Sequence, residues 1–110
     1  YEEMNCDFVE APPGGNYRGM VALRVIGESM QPYLHEGDIV YYSQAIRSGF
    51  NDYLNKRVIV MLKDGRAFIK ILRRGFDYNK YTLQSINTPT LIENVELLWV
   101  AKVAFIKPKD

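Results

Sequence analysis

Two apolar runs joined by an Asp-Gly turn constrain this chain more than any other feature. Arg57-Val-Ile-Val-Met-Leu62 is a continuous apolar stretch rather than an alternating one. Such a stretch fits a strand buried on both faces. Lys63-Asp-Gly-Arg66 follows, then a second apolar run, Ala67-Phe-Ile-Lys-Ile-Leu72. Asp-Gly between two such runs is a strong hairpin signal. Shorter runs repeat the theme: Val21 to Ile26, Asp38 to Tyr42 and Tyr81 to Ile86, the last entered through a turn in Phe76 to Lys80. Asn87 to Thr90 reads as a loop, and Leu97 to Ile106 as one bent strand or two. Helical signals are thin. Ser29 to Leu34 can form one short turn, and Ala45 to Tyr53, which has no helical period, can hold another. The expectation is a mostly β domain of antiparallel strands and hairpins, about six to eight of them by turn spacing, with at most short helical turns. Residues 1–19 read as an N-terminal arm or linker and 20–110 as the domain, with Pro12 to Gly15 as the loop where the two join.

Composition excludes several classes. The 110 residues suffice for one ordinary domain with its own core. Hydrophobic residues at 47% and charged residues at 25% argue against disorder. A net charge of +1 leaves no bulk basic excess for nucleic-acid binding. A lone cysteine, Cys6, excludes an intrachain disulfide and any multi-cysteine metal site, and it fits a reducing, cytoplasmic setting. A lone histidine, His35, excludes a two-histidine metal site. No metal and no cofactor is expected. No apolar run approaches the ~18 residues of a membrane span. Tyr1 to Glu10 is too polar for a signal peptide. The chain opens on Tyr rather than Met and reads as a fragment of a longer protein.

Two residues carry possible chemistry. Phe68, Lys70 and Leu72 share one face of their strand, and the opposite face is also apolar, so Lys70 has no polar side to occupy. It is either an edge-strand lysine reaching for water or a desolvated amine. Burial disfavours the charged form, and a neutral amine is a competent general base. Ser29 follows Gly27, a residue suited to a sharp turn, directly after an apolar strand. It either caps the short turn ahead of Pro32 or holds its hydroxyl clear of the sheet beside free backbone N–H groups. His35, in a polar segment beside Glu36 and Gly37, reads as an exposed loop residue with no triad partner.

Taken together, the two segments resemble the LexA-type peptidase family, which includes LexA, lambda-type phage repressors and UmuD. Gly27, Ser29, Met30, Pro32, Gly37, Asp38, Ile39 and Val40 match its nucleophile block. Arg57 to Leu62, Asp64-Gly65 and Ala67 to Arg74 match its second block, with Lys70 at the lysine position. The resemblance covers residues 20 to 106. It implies a LexA/signal-peptidase-like β fold and a Ser-Lys dyad, with Ser29 as nucleophile and Lys70 as base. Backbone N–H groups around Glu28, Ser29 and Met30 would stabilise the oxyanion. The implied substrate is the protein's own upstream linker, and the implied parent is a dimeric repressor that reaches DNA through an N-terminal helix-turn-helix. This chain has no Ala-Gly or Cys-Gly dipeptide, the family's usual cut, so the cut is expected upstream of Tyr1. A dimerisation or sensing module with a vestigial dyad is the alternative. Type I signal peptidases share the chemistry but need a membrane anchor.

The tail suggests the partner. In Leu97 to Ile106 both alternating faces are largely apolar. A central strand of a monomer would hide them, and so would a two-fold contact. The family resemblance favours a homodimer through Trp99, Val103, Phe105 and Ile106.

Overall fold

The computed structural model describes residues 3–10 and 19–110. Ten strands take up nearly half of them, and they form two antiparallel sheets. The first sheet holds β1 (Cys6–Val9), β2 (Val21–Val25), β3 (Ile39–Tyr42) and β10 (Phe105–Lys107), in the order β1-β2-β3-β10. The second holds β4 (Ala45–Ile46), β5 (Arg57–Leu62), β6 (Ala67–Arg74), β7 (Tyr81–Gln84), β8 (Leu91–Val95) and β9 (Leu97–Lys102). Its order is β4-β9-β5-β6-β7-β8. Among the described residues, only a 3-10 turn at Phe50–Tyr53 and a turn after Ser29 are helical in character. Among the described residues no helix is long and apolar enough to cross a membrane.

The continuous apolar run does what its pattern requires. Val58, Ile59 and Val60 are essentially inaccessible. Ile59 faces one core with Leu23, Val25, Met30, Val40, Ile69 and Trp99, between the two sheets. Val58, Val60 and Leu62 face a second core with Phe68, Leu72, Leu83 and Val100, closed by Phe50, Tyr53 and Leu54 of the connection before β5. Each such side chain contributes roughly 1.5–3 kcal/mol when fully buried. The β5–β6 hairpin turns at Asp64-Gly65 as expected, with Gly65 in the left-handed region and the Asp64 carboxylate accepting the Arg66 N–H.

The first strand differs from the sequence reading. Cys6–Val9, inside the segment read as an arm, is a strand: it pairs with β2 from Cys6↔Val25 to Val9↔Ala22. Its four residues alternate too briefly beside Asp7 and Glu10 to announce themselves, and an Asp7–Arg24 ion pair at 3.5 Å bridges the two strands. The Pro12–Gly15 loop lies outside the described residues. The tail is two strands in different sheets, parted at Val103 and Ala104. Trp99 is consequently buried in its own chain, packed 5.2 Å from the Tyr42 ring, whereas Phe105 is 44% exposed.

Candidate active site

Strand β2 delivers the serine. It ends at Val25 and runs into Gly27, whose φ of 75° suits a residue without Cβ. The Gly27 N–H donates to the Glu36 carboxylate at 2.9 Å, which folds the following loop back on the turn. One helical turn then forms, closed by Leu34 N–H to the Met30 carbonyl at 2.9 Å and anchored by the buried side chains of Met30 and Leu34. The segment after β7 braces this turn. The amides of Ile86 and Asn87 both donate to the Ser29 carbonyl, at 3.0 and 2.8 Å, and the Asn87 side chain donates to the Glu28 carbonyl.

Strand β6 delivers the lysine. It lies between β5 and β7, not at an edge, and Lys70 is only 6% exposed. Its Nζ lies 2.9 Å from Ser29 Oγ and 2.7 Å from Ser85 Oγ, with each hydroxyl oxygen accepting. The same separation serves the reverse bond, in which a neutral amine accepts the Ser29 proton. Burial favours that neutral form. Nearby, burial first and the Asp7 carboxylate second push the Cys6 thiol up to about 12, with the Lys70 charge acting in the opposite direction.

Ser29, Lys70 and the backbone at Glu28 to Met30 therefore come together. The amides of Glu28, Ser29 and Met30 have no acceptor among the described residues. Ser29 does not cap its turn; its hydroxyl is turned to Lys70. His35 is exposed, and its backbone alone is engaged: the amide donates to the Asp38 carboxylate and the carbonyl accepts the Asp38 amide. Asp38 is a buried brace whose other carboxylate oxygen accepts the Lys109 N–H.

Two participants escape a reading of the residues alone. Ser85 is one. A signal for it exists: the β6–β7 pairing of Ile71 with Gln84, continued by one step, sets Lys70 opposite Ser85. Asn5 is the other. Its side chain is buried, and it makes two 2.8 Å hydrogen bonds to the backbone of Ile69.

These groups open on a cleft of about 300 Å³ lined by Met4, Asn5, Gly27, Ser29, Lys70 and Ser85. A larger open cleft, about 780 Å³, lies between Arg47, Phe50, Tyr78 and Leu97 and contains neither Ser29 nor Lys70. The smaller cleft is the one equipped for chemistry.

No curated protein and no solved structure matches the chain. A family model described as Peptidase S24-like matches residues 3–104. The match takes in β1 and both strands that carry the Ser29–Lys70 pair, and the chain belongs to the Peptidase S24-like family.

Proposed function

We propose that this domain is a serine peptidase that cuts the segment upstream of its own first strand, within a dimeric transcriptional repressor that binds DNA through a separate N-terminal domain. The observation that carries the reading is the 2.9 Å contact between a buried lysine amine and the Ser29 hydroxyl. The course of the chain supports the intramolecular substrate. Glu3, Met4 and Asn5 line the same cleft as Ser29, so the described chain begins beside the nucleophile.

The chemistry follows from these positions. Neutral Lys70 takes the Ser29 proton as Oγ bonds to the scissile carbonyl carbon. The resulting oxyanion is stabilised by backbone N–H groups at Glu28 to Met30. The Lys70 ammonium then gives its proton to the leaving amine as the C–N bond breaks. Water, deprotonated by the same amine, releases the acyl group. Ser85 holds Lys70 in place by accepting a second hydrogen bond.

The test uses the protein with its upstream segment intact. Fragments are followed by mass from pH 7 to pH 10. Cleavage is expected to accelerate with pH as Lys70 loses its proton, and Ser29→Ala and Lys70→Ala are each expected to slow it by at least ~100-fold. Persistent cutting in both variants sinks the assigned roles. No cutting at any pH in the unmodified protein favours a dimerisation module whose dyad is vestigial.

A further inference from the structure

Asn5 stands where three parts of the site meet. Its backbone carbonyl accepts the Ile26 N–H at 2.8 Å, just before the turn that holds Ser29. Its side-chain Oδ1 accepts the Ile69 N–H, and its Nδ2 donates to the Ile69 carbonyl, both at 2.8 Å, just before Lys70. The reason lies in the sheet. Residues 67, 69, 71 and 73 of β6 turn their backbone groups away from β5. Strand β7 pairs only with Ile71 to Arg74. Ile69 is left beyond the end of that ladder, and the Asn5 carboxamide continues it. Met4 does the same one step further, its sulfur accepting the Ala67 N–H at 3.2 Å.

The carboxamide has one N–H left after this pairing. Nδ2 lies 3.5 Å from Ser29 Oγ. That is long for a resting hydrogen bond, but such contacts tighten as charge develops in the reacting complex. The polarity matters more than the length. An amide nitrogen can donate to Ser29 and cannot accept from it. The Ser29 proton is thereby denied one neighbour and turned to the other, Lys70.

We propose that Asn5 is a third, positioning residue of the site: it aligns the serine turn with the lysine strand and fixes the Ser29 hydroxyl with its proton toward Lys70. This rests on the peptidase reading above. It also makes the first described strand part of the catalytic apparatus, because Asn5 immediately precedes β1.

Two variants separate alignment from mere support. Asn5→Ala removes both Ile69 bonds and the donor. Asn5→Asp retains the acceptor for the Ile69 N–H, sets an oxygen against the Ile69 carbonyl, and offers Ser29 an oxygen, which would draw its proton away from Lys70. A purely structural role makes the loss of rate follow the loss of thermal stability. The positioning role makes Asn5→Asp the slower variant even where it melts no lower than Asn5→Ala. Self-cleavage of the chain with its upstream segment is timed at several pH values, with thermal melting to establish that each variant is folded at the assay temperature. Expected are a loss of about 10-fold for Asn5→Ala and about 100-fold for Asn5→Asp, with the pH midpoint of Asn5→Asp moved upward. A folded Asn5→Asp that cuts at the wild-type rate, or faster than a folded Asn5→Ala, overturns the proposal. If Asn5→Ala does not fold, the rate and midpoint of Asn5→Asp against wild type decide alone. Ser29→Ala is run beside them. Cutting by that variant defeats the peptidase reading itself, whereas its silence beside an unimpaired Asn5→Asp defeats only the role of Asn5.

Discussion

At the scale of single residues, the site is a set of short polar side chains buried where the surrounding strands are apolar. Lys70 and Ser85 illustrate how little is needed: one amine and one hydroxyl at 2.7 Å, each nearly inaccessible. Ser85→Ala leaves the amine one acceptor short. Self-cleavage is expected to fall about 10-fold, and Ser85→Thr, which keeps the hydroxyl, is expected to restore most of it in the same fragment assay. Cys6 adds a pH effect. Burial and the Asp7 carboxylate push its thiol up to about 12, from an ordinary value of 9.0 in the unfolded chain. Above that lower value the unfolded chain gives up a proton that the folded chain keeps, so stability falls as pH rises toward 12. By pH 10.5 the loss is on the order of 2 kcal/mol. Urea melts at pH 8 and pH 10.5 are expected to show a larger drop for wild type than for Cys6→Ala. The alkaline range in which self-cleavage is expected to accelerate is therefore also the range in which Cys6 weakens the fold. Ser29 and Lys70 were singled out in the sequence because each sits in a block that resembles the family's, Ser29 just after Gly27 and Lys70 within an apolar strand. Asn5 was not, because its role depends on where β7 stops pairing, and no local pattern marks that point.

At the scale of elements, legibility followed strand length and hydrophobicity. Strands β5 and β6 are long and apolar, and their Asp-Gly turn sets their register, so the central hairpin could be read directly. Strands β4 and β8 were missed. The first has two residues, and the second, Leu-Ile-Glu-Asn-Val, buries only Ile92 fully. The β6–β7 turn was expected in the right place, and the structure adds its geometry. A Cβ on Gly75 would come within 2.6 Å of the Lys80 carbonyl carbon and oxygen. These are backbone atoms that also receive the Gly75 N–H, so they cannot give way without opening the hairpin. Gly75→Ala is expected to cost about 1–3 kcal/mol by equilibrium unfolding. The same turn sets Lys70 opposite Ser85, and a rate loss should accompany the stability loss.

At the scale of the whole molecule, the proposed homodimer has less of the tail to draw on than the apolar sequence suggested. Trp99 is spent on the chain's own core. Phe105, 44% exposed and 5.8 Å from the Tyr41 ring, together with the half-buried Val103 and Ile106, is what remains for a partner. Sedimentation of wild type and Phe105→Lys at high micromolar concentration checks this: a dimer that the substitution dissociates is expected. A monomeric wild type refutes the assembly, and an equally dimeric folded variant moves it elsewhere. The position of the tail has another consequence, in the order of synthesis. Strand β9, residues 97–102, lies beside β5 in the middle of the larger sheet, and β10 closes the smaller sheet against β3. Until these last strands leave the ribosome, β5 is a bare edge and the core under Met30 and Ile69 lacks Trp99. Under the proposed function the cut lies upstream of β1, so a nascent chain would carry it well before β9 and β10 complete the two sheets.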